Sequence, residues 1–498
     1  MKSFLLLIVY FACIALGISG IVWVASLTTF SLTKAILLSV LVIGFIFYIS
    51  LHQNPLKFSF YLVLIILPIL GAVVPPARLQ FTVFDLIGFM IFIILIFSVA
   101  KKGKQIDLFP FKFLWIPILF VVPSVALSTE HVSSSIQLLR LFEIYALFIA
   151  GYYFLQQPNA MSKFHVILAS GLLVVSLFVI LQKVLGFNLM LYQERGEVSA
   201  GGVLIRQGSG LFQDPQKAGQ FIAVLFAYFS ILHVRKALIG KWLKRIVYAA
   251  LIISAFALLL TVSRLAIASG FAVVVAAFFF LSKINLFSRF LLGSVSIMLL
   301  ILMIVMGSKN FIRMIVPSEV AIRFELAESS GQGRYEIWKN TFHVFTDNPV
   351  VGIGLGSYRG YLIRSDPVWK RYSDMGGVVP IQPESGYLKV LYEVGIIGAF
   401  GFLYFLFIGV GGVVREIMRS KSKEVVSVSW AVLGGLTIYM ATFTTLFTPS
   451  DPRNAVLPIL LILAARVITK IDSNASSKTK QLKLNDEGNA SVGLRLSV

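Results

Sequence analysis

Apolar runs recur along the whole chain, each about the length a helix needs to cross bilayer hydrocarbon, and short polar links join them. This pattern predicts about fourteen membrane-spanning helices. They lie near 4–26, 35–51, 58–75, 82–100, 112–127, 134–155, 164–186 and 216–234, then 246–262, 265–282, 290–307, 386–412, 427–447 and 453–469. One stretch breaks the pattern. From Ser308 to Ser385 the chain is polar, aromatic and glycine-punctuated, and a long loop of that kind in a compact protein is where chemistry is expected. The expected fold is therefore an all-α integral membrane protein with one large extracytoplasmic loop near the C-terminal third. In this division, residues 1–307 carry helices 1–11 with an extracytoplasmic loop at 187–215. Residues 308–385 form the large loop, 386–470 carry helices 12–14, and 471–498 form a cytoplasmic tail. The Ser-, Lys- and Asn-rich composition of that tail predicts disorder.

Composition supports the membrane assignment, since 58% of the 498 residues are hydrophobic and only 13% are charged. The first run, 4–26, is too long for the core of a signal peptide and is followed by further spans. A formal net charge of +21 raises the question of nucleic-acid binding, but the basic residues gather in alternate links. Lys57, Lys101, Lys102, Lys104, Lys163, Arg235, Lys236, Arg415 and Arg419 fall on one side. The other side carries little more than Lys34, Arg78 and Arg453. The positive-inside rule then puts both termini in the cytoplasm of a multi-pass cell-membrane protein, and nucleic acid is not an expected partner. With this parity, loops 187–215 and 308–385 and the turn Ser263-Arg264 share the extracytoplasmic face. The single cysteine, Cys13, excludes an intramolecular disulfide and a cysteine-based metal site.

Several residues on that face invite a chemical reading. Arg206, Arg264 and Arg334 would suit a pyrophosphate, because guanidinium grips phosphate oxygens bidentately and stays charged. Arg206 opens the segment Arg206-Gln207-Gly208-Ser209-Gly210-Leu211-Phe212-Gln213-Asp214-Pro215, whose Asp214-Pro215 could equally start a helix. Inside a span, Arg140 and Glu143 are one turn apart, either a structural ion pair or the wall of a substrate path. Tyr335, Trp338, Phe342 and Phe345 make an aromatic stripe on one helical face, which Pro349 ends. Gly352, Gly354 and Gly356 could bring backbone N–H groups to a phosphate, although such a run is most often a turn. Glu384 is either a helix-start carboxylate or a base at the membrane surface. The five histidines are scattered without ligand spacing, so neither a metal nor a cofactor is expected.

Taken together, these segments resemble the O-antigen ligase and O-antigen polymerase superfamily over roughly residues 200–410. The resemblance rests on Arg206–Pro215, Ser263-Arg264, Gly333-Arg334 with Trp338, Asn348-Pro349…Gly352-x-Gly354, and Tyr387-Leu388…Glu393-x-Gly395-x-x-Gly398. It implies transfer of a glycan from undecaprenyl diphosphate to a sugar hydroxyl outside the cytoplasm, without a metal. The arginines would hold the leaving diphosphate. Arg264, Arg334 and Glu384 become the expected catalytic residues. Arg206, Gln207, Asp214, Arg140, Trp338, Tyr358 and Tyr387 become the expected substrate contacts. Many members carry a His-Asn pair where this chain has Glu384-Ser385, which favours polymerase over ligase and leaves the base open. The implied partners are the undecaprenyl-diphosphate-linked oligosaccharide, membrane lipid, a chain-length regulator and a flippase. A transporter or lipid flippase is the rival reading. The long loop, however, occurs once and late, without the matching halves that many transporters show.

Overall fold

The computed structural model describes residues 55–69, 82–102, 112–185, 197–200, 203–206, 208–212, 214–238, 240–261, 263–281, 338–339, 341–365, 370, 374, 385–445 and 451–495. Its helices are α1 (Pro55–Ile65), α2 (Val83–Lys102), α3 (Lys112–Ala126), α4 (His131–Leu155), α5 (Ala160–Leu185) and α6 (Pro215–Val234). After these come α7 (Lys241–Leu260), α8 (Arg264–Leu281), α9 (Tyr358–Ser365), α10 (Gly386–Arg419), α11 (Lys423–Phe443) and α12 (Pro452–Arg495). Eight of them, α4 to α8 and α10 to α12, are long and apolar enough to cross a membrane, and shorter apolar helices lie within α1, α2 and α3. The chain is a multi-pass helical membrane protein. The spans expected near 4–26, 35–51 and 290–307 lie outside the described residues.

The helical class expected from the sequence holds, with two additions. First, β1 (Glu197–Ala200) and β2 (Val203–Arg206) form an antiparallel hairpin in the loop after α5, with Glu197 opposite Arg206 and Ala200 opposite Val203. Gly201-Gly202 between two short runs with Val and Ile is the sequence signal for it. Second, α12 continues past Lys470 to Arg495, where composition predicts disorder. Once a helix is nucleated in the packed bundle, each further Lys, Gln or Leu adds a hydrogen bond at little further entropy loss.

At the centre, α6 is buried nearly all round and packs against α8 and α11, while α5 packs along α7. A helix apolar on every face belongs inside the bundle. Its polar ties are few: His165 and Tyr228 share a hydrogen bond of 2.8 Å, and Gln220 Nε2 donates to Thr442 Oγ1 at 2.6 Å.

One end of the bundle is closed by a charge. Arg453 has no exposed surface and lies over the ring of Phe212, 3.6 Å from its centroid. Its Nε and Nη2 donate to the Asp451 carboxylate at 2.9 and 2.7 Å. Its Nη1 donates to the carbonyls of Pro68 and Leu211 at 3.0 and 2.7 Å. One guanidinium thus joins three links distant in sequence, at the end that also carries Ser263 and the Gly352–Gly356 run. Ser263 belongs there because Gly219, on the first turns of α6, leaves room for its side chain.

Candidate functional site

The site is built on a broken helix. Within α10, Gly395 has φ 62° and ψ −168°, a conformation essentially restricted to glycine, so Gly386–Arg419 is two helical pieces joined at a kink. The break releases backbone groups that must find partners, because a bilayer offers none. The glycine-rich loop supplies them. Ile353 N and Gly354 N donate to the carbonyls of Tyr392 and Glu393 at 3.0 and 2.9 Å. In return Ile396 N and Ile397 N donate to the carbonyls of Pro349 and Val350 at 2.9 and 3.2 Å. Gly352, Gly354 and Gly356 all have positive φ, of 71°, 110° and 76°. A Cβ on Gly352 would stand 2.5 Å from the Glu393 carbonyl, and one on Gly395 would run into the Val350 carbonyl. The Gly352-x-Gly354 and Glu393-x-Gly395 motifs are therefore two sides of one backbone junction. The loop N–H groups of Ile353 and Gly354 serve the helix break, not a phosphate.

The link between α3 and α4 clamps this junction. Ser124 Oγ donates to the Glu393 carbonyl at 2.7 Å, and Ser134 Oγ to the Leu355 carbonyl at 2.7 Å. Ser128 and Ser357 share a hydrogen bond of 2.8 Å, and Ser133 Oγ donates to the Gly356 carbonyl at 3.1 Å. Farther along, Arg364 pairs with Glu130 at 2.6 Å. A small cluster of Ile353, Tyr358, Leu362 and Tyr392 packs beneath, with the rings of Tyr358 and Tyr392 4.8 Å apart.

Beside the junction lies a cavity of about 240 Å³. One part of its wall is polar and charged, from Gln137, Arg140, Arg359, Lys389 and Glu393. The rest is apolar, from Pro117, Ile118, Val121, Ile144, Phe402, Phe405, Phe443, Pro458 and Ile459. Arg140 is 3% exposed and holds Asp85 bidentately, Nε to Oδ1 at 2.6 Å and Nη2 to Oδ2 at 2.7 Å. Asp85 also accepts from the backbone N and the hydroxyl of Thr82 at the start of α2. Lys389 is buried with its Nζ 3.6 Å from Glu393 Oε1.

Residues 249–403 match the O-antigen ligase family model. Over this part the chain is similar to O-antigen ligases. No curated protein matches the chain. The matched segment contributes the loop and the broken helix. Arg140, Gln137 and the α3 wall of the cavity come from outside it.

Against this geometry the expected site residues divide. Glu384, Arg334 and Gln207 lie outside the described residues. Arg206 ends β2, and Arg264 opens α8 with an exposed side chain, beside the Ser263 that meets Gly219. Arg140 lines the cavity, but its carboxylate partner is Asp85. Glu143, for which a pair with Arg140 was one of two open readings, is fully buried against Gly88, with no hydrogen-bond partner for either oxygen among the described residues. One-turn spacing alone does not choose the partner: α2 packs on the same face of α4 and brings Asp85 within ion-pair distance of Arg140. Tyr358 is 3% exposed in the small cluster, where it packs the loop. Tyr387 donates to the Met440 carbonyl at 3.0 Å and packs edge-on to Phe443, tying α10 to α11. Of the aromatic stripe, Tyr335 lies outside the described residues, Trp338 and Phe342 are exposed, and Phe345 packs on the small cluster.

Asp214 caps α6, accepting from Gln216 N at 2.7 Å. Its replacement by alanine is expected to cost about 0.5–2 kcal/mol. Thermal unfolding of purified protein measures that loss, and glycan length at matched membrane levels should stay as in wild type.

Lys389 and Glu393 were missed as site residues. Their i, i+4 spacing on one helical face, directly after Tyr387-Leu388, was the available signal.

Proposed function

We propose that this protein is a bacterial membrane glycosyltransferase that polymerises undecaprenyl-diphosphate-linked repeat units of a surface polysaccharide on the extracytoplasmic face. The observation that carries the reading is the two-part cavity beside the family's own loop and helix motifs. Its apolar wall suits hydrocarbon and its cationic wall suits the phosphates attached to it. In the reaction the acceptor hydroxyl oxygen forms a bond to the anomeric carbon of the donor. The bond from that carbon to the diphosphate oxygen breaks, the diphosphate leaves with the electron pair, and the hydroxyl proton passes to a base. Cations aimed at the diphosphate stabilise the charge that develops on it and are the large term open to such a site. Arg264 and Arg334 remain the proposed leaving-group ligands and Glu384 the proposed base. Arg206, Gln207, Trp338 and Tyr387 remain proposed contacts along the glycan.

A ligase that moves finished glycan to a lipid or protein is the second reading, favoured by the description of the family model. Glu384-Ser385 in place of a His-Asn pair favours the polymerase.

The test is a gel ladder of surface polysaccharide from a deletion strain complemented with wild type, Arg264→Ala, Arg334→Ala or Glu384→Gln at matched membrane levels. Single repeat units in the deletion, with chain extension reduced about 100-fold or more in the arginine variants, are expected. Long chains that stay on the lipid carrier would make the protein a ligase. Unchanged length and attachment would favour a transporter.

A further inference from the structure

Glu393 lines the polar wall of the cavity two residues before the Gly395 break and is 1% exposed. Its carboxyl meets the backbone N–H groups of Gly356 and Tyr358, which seat it against the glycine-rich loop. One oxygen is left over: Oε1 has no hydrogen-bond partner among the described residues. Lys389 Nζ stands 3.6 Å from it, within ion-pair range but beyond hydrogen-bond length. On the same wall the Gln137 side-chain oxygen already accepts from Arg140 Nη1 at 3.3 Å. A buried acceptor without a donor is costly, and here the residue borders a space that an occupant can fill.

The occupant has to bring the donor, and the rest of the wall says which kind. A carboxylate accepts and cannot donate. The diphosphate that joins a lipid to a sugar carries no proton at neutral pH, so it would be repelled by Glu393 and not bound by it. Hydrocarbon has no donor either. A hydroxyl does. Arg140 and Arg359 line the same wall, and Phe402, Phe405 and Ile459 carry the cavity on in apolar side chains. An occupant that meets all of them joins a hydroxyl, an anionic group and hydrocarbon. We propose that Glu393 Oε1 accepts from a hydroxyl of the sugar attached to the lipid diphosphate, so that the cavity prefers the glycosylated lipid to the bare one. The bare lipid diphosphate is what transfer leaves behind, and the same contact therefore favours donor over product. This inference rests on the transferase reading of the same cavity and names the group that Glu393 reads in its substrate.

The test compares two probes on the full chain in phosphatidylcholine nanodiscs: farnesyl diphosphate, and farnesyl diphosphate carrying glucose on its terminal phosphate. Wild type should bind the glucosyl lipid at least about tenfold more tightly, the gain of one hydrogen bond to a charged group. In E393Q the glutamine oxygen can turn to the Gly356 and Tyr358 N–H groups, which leaves its NH2 where Oε1 stood. A donor then meets the sugar hydroxyl where an acceptor did. Affinity for the glucosyl lipid should fall about tenfold or more, while affinity for farnesyl diphosphate holds or rises because a negative charge has gone. Should E393Q not fold, E393D is the second variant. Its carboxylate keeps the charge but stands one methylene back, so the preference for the glucosyl lipid should fall likewise.

The proposal is overturned if wild type shows no preference for the glucosyl lipid, or if E393Q binds that lipid as tightly as wild type does. A water at Oε1 would give the second result. Equal losses for both probes in E393Q, with a lower unfolding temperature, would also overturn it and make the carboxyl a part of the loop junction alone. A preference lost in E393Q, with surface glycan length unaltered by deleting the protein, would remove the transferase reading and leave Glu393 assigned. A preference kept in E393Q, with a ladder that depends on the protein, would remove Glu393 alone.

Discussion

Alanine at Gly395 is expected to destabilise the protein by about 4 kcal/mol or more, at the far end of the range for single substitutions. The backbone there has φ 62° and ψ −168°. Holding a residue with a side chain in that region costs about 1–3 kcal/mol before any contact is considered. The added Cβ would then overlap the Val350 carbonyl, which belongs to the strand of loop that satisfies the break. Relief requires the loop to move off, and that strands the N–H groups of Ile396 and Ile397 and the carbonyls of Tyr392 and Glu393. Gly352→Ala strikes the same junction from the other side, so the double variant should cost less than the two single losses together. Gly411→Ala, on the same helix with nothing within 4 Å of the added Cβ, is the control. It should be neutral or stabilising by about 0.5–1 kcal/mol. Limited proteolysis in detergent reads both stability and loop docking: Gly395→Ala should open cleavage within 341–365. Proteolysis as slow as in wild type would show that the junction does not hold the loop.

Replacing Arg453 with methionine is expected to cost about 3–5 kcal/mol, because it leaves the buried Asp451 carboxylate without its counter-ion. The carbonyls of Pro68 and Leu211 lose their donor in the same step. Asp451→Asn in the Arg453→Met background should recover part of the loss, since it removes the unmatched charge. The pair also sets an acid response. Burial pushes the Asp451 carboxyl up, but the charge and hydrogen bonds of Arg453 outweigh it and hold the carboxyl below its usual range. A carboxyl depressed in the folded state adds stability that is present above its unfolded pKa and disappears as pH falls through the folded one. The unfolding temperature of wild type should therefore drop on acidification below about pH 4. Asp451→Asn, less stable at neutral pH, should show a flatter acid limb. Parallel limbs for the two proteins would mean that other carboxyls govern acid unfolding.

Much of this architecture is legible in the chain itself. The need to satisfy every backbone group inside hydrocarbon makes an apolar run of about 20 residues a helix, and this is a local property. The spans at 134–155, 164–186, 216–234, 246–262, 265–282 and 427–447 therefore correspond closely to α4 to α8 and α11. The glycine motifs were visible too, though their meaning was not. Gly352 and Gly395 look like separate turns until the fold lays one against the other.

Pairing was not legible, and the reason is physical. Lipid tails are as apolar as a packed interior, so a membrane helix carries no strong stripe to say which face turns inward. Rotation of α4 about its axis decides that Arg140 meets Asp85 while Glu143 faces Gly88, and neither residue's neighbours in sequence encode it. Likewise Lys389 looks like an ordinary basic residue after a Tyr-Leu motif until α3, α4 and α11 close a cavity around it. By itself the sequence determined the helical class, the six spans just named and the motifs of the segment that matches the family model. The tertiary structure alone decided which charges share a wall, because that depends on helix rotation and on contacts between links far apart in the chain.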